Sequence, residues 1–313
     1  MTLTELKYIV AVARERHFGR AAEACHVSQP TLSVAIRKLE EELGVQLFER
    51  GSSEVSVTPT GVQIVEQAQR VLEQTNTIRE LARQGKDPLA GPLRLGVIYT
   101  IGPYLLPLLV PRMIEDAPRM PLILQENFTV KLLESLRQGD LDVAILADPF
   151  QDAGLMTHPL YDEPFVVAVP HRHAWSRRKS IASDELRNET MLLLGAGHCF
   201  RDQVLEVCPE LSRFSQASGG IQKTFEGSSL ETIRHMVASG IGITVLPRTA
   251  RPEGGDKLLD YVPFKAPVPS RQVSLVWRKS FPRPQAIDTL RRAVLGAPLP
   301  GVTMLPGAKP IAH

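Results

Sequence analysis

Three cysteines in 313 residues are too few for a disulfide scaffold, and they point to the reducing cytoplasm, where any disulfide is transient and redox-linked. No apolar run approaches the roughly 18 residues of a membrane span, so no membrane partner is expected. Glu5 and Lys7 fall inside the first helical stretch, where a signal peptide would have none of this layout. Aromatics are scarce at 5%, but 43% hydrophobic and 22% charged residues are ordinary for a soluble globular protein. A net charge of +2 says little about partners. No cofactor or metal site is expected. The length allows two domains and a small third piece.

What is present begins with helix signals. Thr2 and Glu5 form a possible capping box, and Leu3, Leu6, Ile9, Val10 and Ala13 continue with helical period. A second short helix follows at Arg20–Cys25, with Cys25 on its apolar side and read as core. In a third, Ser28 suits an N-cap, Pro30 a first turn and Gly44 a C-terminal stop. Leu32, Ile36, Leu39 and Leu43 make its buried stripe, while Gln29, Ser33 and Arg37 face away and can reach base edges or phosphates. Residues 45–60 alternate about Gly51–Ser52 as a small hairpin, with Arg50 placed for a phosphate or minor-groove contact. This predicts a winged helix-turn-helix over 1–60.

Five linked motifs carry a family resemblance: Phe18-Gly-Arg-Ala-Ala22, Val27-Ser-Gln-Pro-Thr-Leu-Ser33, Leu39-Glu-Glu-Glu-Leu-Gly44, Leu47-Phe-Glu-Arg50 and Thr58-Pro-Thr-Gly61. In order and spacing they resemble the DNA-binding domain of the LysR-type transcriptional regulators. That resemblance implies double-stranded promoter DNA as partner, read by Gln29, Pro30, Thr31, Ser33, Arg37 and Arg50, and RNA polymerase as a further partner. Residues 1–60 hold seven Lys/Arg against eight Asp/Glu, so a favourable field requires Glu40, Glu41 and Glu42 to turn away from DNA.

From Val62 to Arg83 apolar or small residues recur at helical steps, and Gly85, Pro88, Gly91 and Pro92 stop the run. A linker helix over 61–88 with such a stripe needs a partner; pairing with a second copy is favoured over packing on its own C-terminal domain. Over 89–300, strand-like and helix-like runs alternate, which means βαβ units with ligands at βα turns. Gly139-Asp-Leu-Asp-Val-Ala144 and Val237-Ala-Ser-Gly-Ile-Gly-Ile-Thr-Val-Leu-Pro247 extend the LysR resemblance. It implies a two-lobed effector domain like the type 2 periplasmic binding proteins, lobe I at about 89–162 and 268–300, lobe II at about 163–267. Residues 301–313 read as a loose tail.

The segment from Gly195 to Cys208 decides the effector. The strand-like Met191–Leu194 ends in a glycine turn, and Phe200, Val204 and Val207 then recur at helical spacing. Cys199 would sit at a helix N-terminus beside His198 and Arg201, conditions that favour a reactive thiolate. From these residues alone a buried structural cysteine is the favoured reading, and the rest of the chain changes that weighting. Nine residues of helix would hold Cys199 and Cys208 roughly 13 Å apart on opposite faces, against a disulfide limit of about 7 Å. The two can join only if the segment leaves its helix.

His198-Cys-Phe-Arg-Asp202 followed by Cys208 is similar to the peroxide-sensing branch of the LysR family. That implies hydrogen peroxide as effector, Cys199 as the oxidised thiolate and Cys208 as its resolving partner, with Thr100, Thr129, His198, Arg201 and Asp202 around them. It also implies a homotetramer, a dimer of dimers, reset by glutaredoxin or thioredoxin. Thr129 can instead be a helix cap and Asp202 a first-turn helix acid. Two other functions compete. One is a LysR-type regulator of a small metabolite bound between the lobes at Thr100 and Thr129. The other is a thiol peroxidase, against which the winged helix and the lack of Cys-x-x-Cys argue; the chain is not expected to be an enzyme.

Overall fold

The computed structural model describes residues 1–50, 55–84, 87–147, 152–207, 209, 224–227, 229–252, 254–309 and 311–312. The chain divides into two compact units, the first essentially residues 1–85 and the second 86–313.

In the first unit, α1 (Leu3–Glu15) opens with the Thr2–Glu5 capping box, both reciprocal hydrogen bonds formed. His17 caps α2 (Phe18–Ala24) through its ring. Ser28 caps α3 (Gln29–Leu43), which stops at Gly44 in the left-handed conformation, φ +67°. Leu6, Ile9, Val12, Leu32, Ile36, Leu39 and Leu47 form the core. Leu43, the last residue of α3, does not complete that stripe: it is 37% exposed at the helix end. Strands β1 (Phe48–Arg50) and β2 (Val55–Val57) pair antiparallel as the wing. The 26-residue helix α4 (Pro59–Gln84) follows, with Ala68 buried in the core while Val71 and Ile78, one heptad apart, remain exposed.

The second unit has two cores. The first gathers on the parallel strands β3 (Leu93–Ile98), β4 (Leu122–Asn127) and β5 (Val143–Ala147), under α5 (Gly102–Asp116) and α6 (Thr129–Gln138). The 16-residue β6 (Leu155–Pro170) then runs out of that core into the second. The second holds β7 (Met191–Leu194), α7 (Cys199–Val207), β8 (Thr224–Gly227), α8 (Leu230–Ala238), β9 (Thr244–Pro247) and β10 (Leu259–Pro263). β7 and β8 pair parallel, whereas β9 and β10 flank the far half of β6. The return strand β11 (Ser270–Arg278) lies antiparallel to both β6 and β5 and leads to α9 (Pro284–Leu295), which packs on α5. Two lobes joined by the long strands β6 and β11 result, the two-lobed α/β architecture anticipated for the effector domain.

The end of the chain departs from expectation. In place of a loose tail over 301–313, β12 (Thr303–Met304) pairs with Tyr161 and Asp162, and β13 (Ile311–Ala312) with Met156 and Thr157. Val302 and Met304 pack on the first core. The long β6 has open ladder positions here, and short strands that satisfy them need no sequence periodicity of their own.

Candidate functional site

β7 carries the chain to Gly195–Gly197, where Gly197 takes φ +96° and lies so near Phe128 that an added Cβ would sit 3.5 Å from its ring. Helix α7 starts at once with Cys199, seated by the buried Phe200 and Val204 one turn apart. The facing wall comes from two βα turns of the other lobe: Tyr99 and Thr100 after β3, Asn127, Phe128 and Thr129 around the end of β4. Between them lies a cavity of about 10 Å³ lined by Ile98, Tyr99, Thr100, Asn127, Phe128, Thr129, Gly197, His198 and Cys199. That is room for about one water-sized molecule.

The polar groups at this cavity are unusually constrained. His198, 7% exposed, stands edge-on between Phe128 and Tyr99, ring centres 4.8 and 5.8 Å away. The Thr100 hydroxyl accepts a hydrogen bond from Arg271 Nη1 at 2.7 Å, and the Thr100 carbonyl accepts from Nη2 at 3.0 Å. With a guanidinium on its oxygen, that hydroxyl keeps its proton to donate elsewhere. The Thr129 hydroxyl oxygen is buried with no partner among the described residues. A buried hydroxyl left so at a cavity wall has its hydrogen-bonding capacity open toward the cavity.

Arg271 is itself fixed. Its Nε donates to Glu163 Oε2 at 2.8 Å, the pair lies opposite in the β11–β6 register, and both side chains are essentially fully buried. Glu163 Oε1 in turn accepts from the Thr249 amide at 3.2 Å and from its hydroxyl. The guanidinium carbon also sits 5.0 Å from the centre of the Phe200 ring, next to Cys199. Sequence reasoning passed over this pair. The signal was there: a carboxylate and a guanidinium inside otherwise apolar strands, a placement that demands a partner.

Of the expected redox residues, Thr100, Thr129, His198 and Cys199 converge on the cavity. Arg201 and Asp202 sit on the first turn of α7 but do not line it, and Asp202 is exposed. Cys208 lies outside the described residues. Among the described residues no cluster of His, Cys, Asp or Glu is arranged to hold a metal ion, and no helix is long and apolar enough to cross a membrane.

On the first unit, Gln29, Pro30, Thr31 and Arg37 are exposed on α3 and Ser33 is half-buried. Arg50 closes β1, its side chain outside the described residues. Val34, 68% exposed and three residues from both Thr31 and Arg37, shares that face; it is an apolar residue suited to a thymine methyl that sequence reasoning missed. Glu40 is turned to the wing, where Oε1 accepts from the Leu47 and Phe48 amides at 2.8 and 3.2 Å.

Comparison with known proteins matches residues 3–62 to the bacterial regulatory helix-turn-helix of the lysR family, and residues 86–298 to the LysR substrate binding domain. The chain belongs to the LysR family. Its LysR relatives include the hydrogen peroxide-inducible genes activator of Pectobacterium carotovorum, 42% identical over 95% of this chain and 98% of that one. The DNA-binding transcriptional dual regulator OxyR of Escherichia coli K12 is also 42% identical, over 94% of this chain and 95% of its own. Among solved LysR structures, a full-length OxyR cysteine-to-aspartate variant from Pseudomonas aeruginosa aligns with a TM-score of 0.73 at 54% identity, covering 96% of both chains. A hydrogen peroxide-bound cysteine-to-serine variant of Corynebacterium glutamicum OxyR aligns at 0.62 and 33%, covering 94% of this chain and 91% of that one.

Proposed function

We propose that the protein is a cytoplasmic, DNA-binding LysR-type regulator that senses hydrogen peroxide at Cys199 and acts as a switch, not as a turnover enzyme. The observation that carries this is the cavity of about 10 Å³ whose wall combines Cys199 with the hydroxyls of Thr100 and Thr129. Sites for ordinary small ligands run to about 300–1,000 Å³, so a metabolite between the lobes at this point is disfavoured. Hydrogen peroxide is small, uncharged and able to accept and donate at both oxygens, and it matches two hydroxyls with different hydrogen-bonding freedom. The two relatives named for hydrogen peroxide and for OxyR agree with the same effector.

The reaction follows from these positions. The Cys199 thiolate attacks one peroxide oxygen; an S–O bond forms, the O–O bond breaks, and the leaving hydroxide takes up a proton to become water. Thr100 and Thr129 orient the peroxide and hydrogen-bond the oxygen on which charge grows. The Cys208 thiolate then attacks the sulfenic sulfur; an S–S bond forms, the S–O bond breaks, and the expelled hydroxide takes up a proton to become a second water. Two electrons pass from the thiols to peroxide. Because Cys199 opens α7 and the helix runs to Val207, the bond requires α7 to unwind. That is a two-state element driven by a covalent change. Arg201 and Asp202, on the turn that must unwind, act on the helix and not on peroxide. Glutaredoxin or thioredoxin restores the thiols.

On DNA, Gln29, Pro30, Thr31, Ser33 and Arg37 present the reading face of α3 to the major groove, with Arg50 on the phosphates. The exposed pair Val71 and Ile78 on α4 supports pairing with a second copy, and two such dimers make the tetramer that engages promoter DNA and RNA polymerase. Peptide mass spectrometry on reduced protein after a brief pulse of stoichiometric peroxide tests the switch. A Cys199–Cys208 linked peptide, reversed by dithiothreitol and absent in Cys199→Ser, is the expected result. Unmodified Cys199 after the pulse would overturn it.

A further inference from the structure

The two lobes meet at a second point that peroxide chemistry does not use. Tyr104, on the first turn of α5, turns its ring against the core of the other lobe. Its hydroxyl donates to Glu231 Oε1 on α8 at 2.9 Å. Glu231 is held by Arg234 Nη1, 3.1 and 3.0 Å from its two oxygens. Arg234 Nη2 reaches Asp256 Oδ2 at 2.8 Å, and that same oxygen accepts from the Tyr261 hydroxyl of β10 at 2.7 Å. One end of this network is therefore tied to a strand of the Cys199-bearing lobe.

The other end is tied to the cavity wall. Tyr104 follows Thr100 by four residues, and the turn between them is closed by backbone bonds from Ile101 N to Ile98 O (2.9 Å) and from Tyr104 N to Ile101 O (3.1 Å). Tyr104 and Thr100 thus belong to one hydrogen-bonded turn that spans the contact with α8 and the wall of the cavity. We infer that Tyr104, latched to Glu231, is a specificity-determining positioning residue: it holds the lobes closed so that the space at Cys199 admits a molecule of peroxide size and excludes larger electrophiles. This deepens the peroxide-sensing reading and rests on the same cavity.

Full-length protein as wild type, Tyr104→Phe, Tyr104→Ala, Glu231→Ala and the Phe/Ala double variant tests it. Reduced protein is treated with N-ethylmaleimide or with hydrogen peroxide, and modification of Cys199 is timed by peptide mass spectrometry. Tyr104→Phe keeps the ring and loses one hydrogen bond, so maleimide labelling of Cys199 should rise about fivefold. Tyr104→Ala also removes the ring from the neighbouring core, and labelling should rise more than about twentyfold. The preference for peroxide over maleimide falls in the same order. Because Tyr104 and Glu231 act as one contact, the double variant should label no faster than its faster single parent. Cys25 in the same digest, on the other unit, controls for reagent, and the urea midpoint of each variant controls for general loosening of the second unit, which would also expose Cys199. Unchanged Cys199 labelling in the variants, additive effects, or equal acceleration at Cys25 would each overturn the inference. A wild type that labels normally but ignores peroxide would instead sink the peroxide reading and leave the latch standing.

Discussion

Replacing Thr129 by valine separates function from stability at one atom. The hydroxyl is buried and has no partner among the described residues, so no hydrogen bond described there ties it to the fold. An unsatisfied buried hydroxyl costs about 1–3 kcal/mol, and a water bridging it still costs about 0–2 kcal/mol in lost freedom. Valine has nearly the same shape and removes that cost. Stability should therefore stay level or rise by up to about 3 kcal/mol, and at about 2–4 °C per kcal/mol for a unit of this size the Tm should not fall. The reaction should behave oppositely. A donor facing the oxygen that leaves peroxide is worth about 1.5–3 kcal/mol when that oxygen carries charge, so oxidation of Cys199 should slow roughly ten- to a hundredfold. The assay is paired: stopped-flow loss of the Cys199 thiol against peroxide concentration, and calorimetric melting of the same preparation. An unchanged oxidation rate would refute the role given to Thr129. A Tm several degrees lower would refute the claim that the hydroxyl is structurally idle.

Glu163→Gln should cost about 3–5 kcal/mol in urea denaturation, because it strands the buried Arg271 guanidinium without its counter-charge; a loss under 1 kcal/mol would mean that the pair is not closed. On lobe II, Arg178 grips both oxygens of Glu185 at 2.6 and 2.9 Å and, with the Ala182 amide, lowers its carboxyl from 4.5 to about 2. A depressed folded pKa gives stability that is fully present above the unfolded value of 4.5 and is lost as pH falls through about 2. The urea-midpoint gap between wild type and Glu185→Gln should thus be constant near neutrality and close between those two pH values; a gap that persists at the acid end counts against the pairing. Arg37→Ala should weaken DNA binding and reduce the slope of log affinity against log salt by about 0.9. Unchanged affinity and slope in a filter-binding titration would remove Arg37 from the interface.

How much of this was legible in the sequence depends on how far apart the cooperating residues lie. Thr58-Pro-Thr-Gly61 was recognisable as a motif, and its physical reason is local. The Thr58 hydroxyl donates to Gln46 O at 2.7 Å and accepts from Gly61 N at 2.9 Å, while a Cβ on Gly61 would fall 2.3 Å from Leu47 O. Caps, turns and short periodic runs of this kind encode themselves. Arg271 and Glu163 do not: they are 108 residues apart and meet only through the register of two long strands. Tyr104 and Glu231 meet through lobe closure, and β12 exists only because β6 offers it a place. The cavity followed the same division. Cys199 and His198 were readable from one segment, and Thr100 and Thr129 from their βα turns. The side chains that fix them came from strands elsewhere.

The charge balance of the first sixty residues illustrates why a net count misleads. Eight acids against seven basic residues argue against a nucleic-acid partner if all are taken as free. They are not all free. Glu5 closes the capping box of α1, where the Thr2 amide and hydroxyl hold its carboxyl below the usual range. Glu40 carries two amides of the wing, and Glu42 lies 2.8 Å from the ammonium group of Met1. Glu15 pairs with Arg14. Charges over about 10 Å apart are largely screened at moderate salt, so a phosphate approaching α3 feels the residues on that face before it feels the sum. That face holds Gln29, Thr31, Arg37 and Lys38, all exposed. Glu5, Glu40 and Glu42 are engaged in building the helices and wing that present it, while Glu41 stays exposed one turn beyond Arg37, so the field that DNA meets is set by which charges remain on that face and not by the net count.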